Sequence, residues 1–111
     1  MVDKFNLPTN VSGTIDPQSE CHVLWDPISM DNFTNNELVY VSKMIGNNSK
    51  MYCYKIEFLE RWFHTKEELI NPLTNVIFPH AIVMKRVKIT RKHSNALKSA
   101  SFQESFFVSN I

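Results

Sequence analysis

The sequence predicts a small α+β domain in which a β-hairpin feeds one central helix. Three observations predict it. First, YKIEFLERWF at residues 54–63 places Ile56, Leu59 and Phe63 at i, i+3 and i+7, with Phe58 and Trp62 on an adjoining stripe and Lys55, Glu57, Glu60 and Arg61 between them. That is the wide apolar face of a short amphipathic helix seated on a core. Second, Leu38-Val39-Tyr40-Val41 is β-branched and aromatic, and Met51-Tyr52-Cys53 reads as its return strand across a Gly46-Asn47-Asn48 turn. Third, 111 residues with 43% apolar content and thirteen aromatic residues suffice for one modest core.

The remaining elements follow in order. Residues 1–20 mix Pro8, Gly13 and Pro17 with Ser, Thr, Asn and Asp and show no period, so an irregular N-terminal arm is expected. CHVLW at 21–25 is a short apolar run, either a strand or a strap over the core. Asp26-Pro27-Ile28-Ser29 is a turn, because aspartate accepts from backbone N–H groups two or three residues on and Pro27 presets its own φ. DNFTNN at 31–36 is a polar loop. After the helix, Asn71-Pro72 forbids helical continuation, since proline restricts the residue before it and has no N–H to donate. Val76-Ile77-Phe78 is a third apolar run closed by Pro79. AIVMKRVKI at 81–89 fits two periods: Val83 and Val87 suit a helix, Val87 and Ile89 a strand. A second helix after Pro79 is the preferred reading. Residues 91–111 form a basic, then aromatic, C-terminal tail that includes Phe102, Phe106 and Phe107, either a cap on the core or an apolar peptide for a partner. No internal repeat is visible.

Charge is 21% of the chain and nearly balanced overall, but unevenly placed. Residues 1–40 carry six acids against Lys4, whereas residues 81–111 carry six cations against Glu104. Lys85, Arg86, Lys88, Arg91 and Lys92 interleave with apolar residues, a pattern that could follow a phosphate backbone, although many globular domains carry such a strip simply as solvated surface. The N-terminus has no apolar h-region, and no apolar run approaches the ~18–20 residues of a membrane span. With two cysteines and no drawable disulfide framework, a reduced intracellular protein of the cytoplasm or nucleus is expected, without a membrane partner. Cys53 reads as a small buried apolar side chain rather than a nucleophile.

Catalytic chemistry is not visible. Cys21, His22, Cys53, His64, His80 and His93 form no C-x-x-C or H-x3-H pair, so no metal or other cofactor is called for. No glycine-rich phosphate loop exists, with only Gly13 and Gly46 in the chain, and no Ser or Cys stands out as a nucleophile.

Three elements in order, Asp26-Pro27-Ile28-Ser29, then Tyr54, Leu59, Trp62 and Phe63, then Asn71-Pro72-Leu73-Thr74, resemble the signature of the U-box, the zinc-free relative of the RING finger. The resemblance covers roughly residues 23–90 and implies a domain over 21–90; the stretch 41–51 is longer than in typical U-boxes. It implies a U-box/RING-like fold: a β-hairpin, one central helix, two crossed loops and a C-terminal helix. It further implies that Asp26, Ser29, Asn71 and Thr74, at or beside the positions of RING thiolates, act as polar staples. In the family an Ile, a Trp and a Pro dock a ubiquitin-conjugating enzyme; by position these are Ile28, Trp62 and Pro72. The same three side chains also suit plainer roles, Ile28 and Trp62 as caps on the core and Pro72 as a turn former. The resemblance thus implies an interaction module, in its active form a ubiquitin ligase that holds the charged conjugating enzyme in a reactive conformer without covalent chemistry of its own. The arm or the tail would then engage a further protein. The alternative is a degenerate U-box serving assembly, with the basic strip on nucleic acid; abundant Asn, Lys and Ile hint at an AT-rich genome such as that of a large DNA virus.

Overall fold

A computed structural model describes residues 5–46 and 49–90. Four strands form one mixed sheet: β1 (Val11–Ile15), β2 (Leu38–Lys43), β3 (Met51–Lys55) and β4 (Val83–Val87). Their order across the sheet is β1-β4-β2-β3, with β2 antiparallel to both neighbours and β1 parallel to β4. One helical turn, α1 (Pro17–Glu20), and one longer helix, α2 (Ile56–Lys66), complete the α+β domain. No helix among the described residues is long and apolar enough to cross a membrane.

The β2–β3 hairpin forms because alternate residues fill both faces of the sheet. Tyr40 lies opposite Tyr54, and Val41 opposite Cys53. Tyr40, Tyr54 and Met84 turn to one face and pack with Leu59, Phe63 and Phe78. Val39, Val41, Cys53 and Val87 turn to the other and pack with Ile15, Cys21 and Phe33. Helix α2 covers the first face and the segment 16–36 straps the second. Burying Leu59 and Phe63 fully contributes roughly 1.5–3 kcal/mol each, which seats α2 on the sheet. The helix ends at Glu67 in the left-handed region (φ 59°), whose N–H donates to the Phe63 carbonyl at 2.7 Å.

Four sequence expectations change. The second helix expected after Pro79 is strand β4, and it lies in the sheet's interior: pairing on both edges satisfies its backbone and overrides the ambiguous apolar period. The arm expected to be irregular contains β1, held to β4 by ladder bonds and by Ser12 Oγ donating to the Met84 carbonyl at 3.1 Å. It also contains α1, capped when the Asp16 carboxylate accepts from Gln18 N while Glu20 accepts from Asp16 N. The run 76–78 yields only an isolated bridge between Ile70 and Ile77, with Val76 and Ile77 exposed and Phe78 buried. The two cysteines, expected to be reduced, form a Cys21–Cys53 disulfide that ties the strap to β3, because the strap runs antipodal to α2 directly over Cys53. Arg91, Lys92 and the aromatic tail, expected as a basic strip and an apolar cap or peptide, lie outside the described residues.

Candidate partner-docking site

The loops at residues 26–31 and 71–76 turn out to be one structure built twice, although no repeat is visible in the sequence. In the first, Asp26 N donates to the Asp31 carbonyl (2.8 Å) and Met30 N to the Asp26 carbonyl (2.7 Å). In the second, Asn71 N donates to the Val76 carbonyl (2.8 Å) and Asn75 N to the Asn71 carbonyl (2.7 Å). Met30 and Asn75 both adopt positive φ, 67° and 61°. Each loop's leading side chain then fastens its own turn: Asp26 Oδ2 accepts from Ile28 N (3.2 Å) and Ser29 N (2.6 Å), and Asn71 Oδ1 accepts from Leu73 N (2.9 Å). The hydroxyls repeat the scheme as well. Ser29 Oγ accepts from Asp31 N at 3.2 Å, and Thr74 Oγ1 from Val76 N at 3.4 Å.

Both leading side chains are buried, and they bond to consecutive residues of the chain. Asp26 Oδ1 accepts from Lys55 N at 2.9 Å, while Asn71 Oδ1 accepts from the Tyr54 hydroxyl. Tyr54 and Lys55 are consecutive at the end of β3, where the chain enters α2. Burial pushes the Tyr54 phenol well above its usual range, so it stays a protonated donor. Lys55 also pairs with Glu37 through Nζ at 3.7 Å. A buried carboxylate without donors would be costly; with three backbone N–H groups converging on it, Asp26 instead organises its loop.

The three expected docking side chains are all half-buried. Ile28 and Trp62 pack against the cluster of Tyr54, Leu59 and Phe63, and Pro72 follows Asn71, whose side chain bonds to Tyr54 in that cluster. Trp62 Nε1 donates to the Ile70 carbonyl at 2.9 Å, which fixes the indole, and Lys66 Nζ lies over the ring 4.9 Å from its centroid. Sequence reasoning missed the apolar residues beside them: Met30 at 69%, Leu73 at 48%, Val76 at 55% and Ile77 at 59% exposure crowd the two loops. The signal was available, since a loop that spends its polar side chains on its own backbone has only apolar ones left to show.

The basic strip is divided. Strand alternation sets Lys85 on the face of Val83 and Val87, and Arg86 on the face of Met84. Arg86 Nη1 donates to the Asn36 carbonyl at 2.9 Å, and Lys88 is exposed beyond the strand.

Two further features hold titratable groups. An open trough of about 860 Å³ at the start of α2 is lined by Glu37, Lys55, Glu57 and Arg61, but Lys55 is committed to Glu37 and Arg61 to Glu57 at 3.0 Å. Glu60, also on its wall, accepts from the Tyr40 hydroxyl at 2.6 Å. His22 stacks edge-on against Tyr52, and its Nδ1 donates to the Met51 carbonyl at 3.2 Å. Burial pulls its pKa below the usual 6.5, so the ring is held neutral. Among the described residues no group of three or more His, Cys, Asp or Glu is placed to hold a metal. No family model, curated protein or solved structure matches this chain.

Proposed function

We propose that the chain is a protein-interaction module whose paired loops and α2 dock a ubiquitin-conjugating enzyme, as the resemblance to the U-box implies. One observation carries the reading. Two loops that share one backbone hydrogen-bond scheme are fastened by Asp26 and Asn71 to consecutive residues at the head of α2. Such an arrangement holds two apolar loop tips and a helix face in fixed relation without metal ligands. Small interfaces depend on a few rigid anchors, and a half-exposed tryptophan with its N–H already satisfied suits that role. Ile28, Trp62 and Pro72 are the anchors, with Met30 and Leu73 extending the surface. The module's work is orientation: it restricts the conjugating enzyme's thioester to reactive conformers.

The test is an autoubiquitination assay with a panel of conjugating enzymes, wild type beside Ile28→Ala. Chains should form with at least one enzyme and fall by about tenfold or more in the variant, the scale of one lost anchor, while its circular dichroism is unchanged. If no enzyme gives chains and none binds by titration calorimetry, the ligase reading is lost.

A further inference from the structure

The strap that carries the first loop is fastened near its start by a single histidine. His22 makes two bonds to one acceptor: its backbone N donates to the Met51 carbonyl at 3.0 Å, and its Nδ1 donates to the same oxygen at 3.2 Å. A carbonyl can only accept, so Nδ1 carries the proton and Nε2 is a bare lone pair. Nε2 is buried and meets no hydrogen-bond partner among the described residues. The ring lies edge-on to Tyr52 at 5.5 Å and tilted to Tyr54 at 6.2 Å, measured between centroids. These two phenols are the titratable groups of β3 that face it; Lys55, on the same strand, pairs with Glu37. On its own segment the flanking charges are Glu20 and Asp26, and both are engaged with backbone. Glu20 Oε2 accepts from Asp16 N at 2.8 Å, and Asp26 takes the N–H groups of Ile28, Ser29 and Lys55.

We propose that His22 is an acid-sensitive latch: neutral, it holds residues 22–33 to the edge of β3, and a proton on Nε2 releases them. Protonation places a second ring N–H, now charged, in a buried spot that offers it no acceptor, while the Met51 carbonyl already takes the other two donors. Opening the strap returns the ring to water, where it takes the proton freely. Burial lowers the pKa of the folded ring below 6.5, with the Met51 bond opposing in part. Closure is therefore fully favoured above pH 6.5 and weakens as the pH falls from there towards the folded-state value. The Cys21–Cys53 disulfide fixes Cys21 in both states, so the motion is confined to residues downstream of it. Those residues include Asp26, which leads the first loop, and Tyr54, against the ring, donates to Asn71 of the second. One proton thus bears on both loops. That the release weakens docking rests on the reading proposed above; the latch itself does not.

Amide hydrogen exchange on the full chain tests the latch without any partner. Between about pH 7.5 and about pH 5.5, protection factors at the His22, Asp26 and Phe33 amides should fall several-fold, and by no more than about tenfold, the limit for one group that titrates at 6.5 once released. The amides of the β2–β3 ladder should keep their protection. His22→Asn, whose side-chain amide can still donate to Met51 but cannot take a proton, should abolish the difference. In the wild type the His22 ring, followed by NMR, should titrate below 6.5. If the variant does not fold, the two wild-type readings decide. A ring that titrates at 6.5 or above, protection that does not change with pH, or an equal fall in His22→Asn overturns the latch. The consequence for docking is read separately, as the affinity of a conjugating enzyme at the same two pH values. Equal affinity at both, with the exchange change present, overturns the coupling and leaves the latch standing, whereas an absence of binding at either pH sinks the docking reading alone.

Discussion

The loops at residues 26–31 and 71–76 share one hydrogen-bond scheme but differ in how they are fastened to the domain. The first is led by a buried carboxylate that collects three backbone N–H groups, one of them from Lys55, and is preceded by a covalent anchor five residues upstream at Cys21. The second is led by a neutral amide that meets a phenol, and it leans on the Trp62 indole donating to Ile70 just ahead of it. The left-handed position is also filled differently, by methionine in one and asparagine in the other. The same fold of backbone is thus reached through charge and a disulfide on one side, and through neutral hydrogen bonds and aromatic packing on the other. The lesson is that the scheme belongs to the backbone, and the side chains need only supply an acceptor at the first position and a hydroxyl at the fourth.

The comparison can be broken most severely at Asp26. Asp26→Ala leaves three inward N–H groups without an acceptor and should lower stability by about 4–5 kcal/mol, read as the midpoint shift in urea unfolding followed by tryptophan fluorescence. Removing the covalent anchor comes next. The double variant Cys21→Ala, Cys53→Ala, or reduction with excess dithiothreitol, should cost roughly 3–4 kcal/mol for a loop of this length. Hydrogen exchange should then quicken in residues 22–33 and stay unchanged in residues 71–76; equal loosening of both would show that the loops are not separately fastened. On the neutral side, Tyr54→Phe deletes one donor to Asn71 and should cost about 1–2 kcal/mol, with the exchange change confined to the second loop. The smallest effects sharpen the contrast at the left-handed positions. Met30→Gly should stabilise by about 1 kcal/mol, because a long side chain is poorly tolerated at positive φ, whereas Asn75→Gly should gain only ~0.3 kcal/mol, asparagine being at home there. Equal gains would mean that the loop, not the residue, sets the strain.

Much of this was legible in the sequence, unevenly. The helix was, because Ile56, Leu59 and Phe63 repeat with its period and α2 covers one face only. The hairpin was, because Leu38 to Val41 is apolar on both faces, as an interior strand must be. Strand β4 was not, because an interior strand carrying Lys85 and Arg86 shows neither alternation nor a continuous apolar run. Strand β1 was not, because four of its five residues are exposed and Gly13, at φ 134°, sits where its register slips. The repeated loop was hidden because its two copies share only the proline; equivalence lay in hydrogen-bonding capacity, Asp with Asn and Ser with Thr. The disulfide was hidden because pairing depends on a strap that crosses β3, and nothing local to Cys21 announces that crossing. Of the candidate site, Asp26 and Asn71 were marked by their Pro-containing turns, whereas the donors they meet, Tyr54 and Lys55, were marked only as parts of a strand and a helix.

The interior place of β4 also orders events in time. Among the described residues strand β1 has only β4 as its sheet neighbour, and β4 lies some 70 positions further along the chain. During synthesis the hairpin and α2 can assemble as soon as they emerge, since their contacts are local. The N-terminal strand must wait, its edge unsatisfied, until residues 83–87 have been made and have inserted beside β2. Non-local pairing of this kind is slow and leaves aggregation-prone edges exposed meanwhile. A nascent chain stalled before residue 83 would therefore present two open strand edges at once, and this is the stage at which a chaperone would have most to protect.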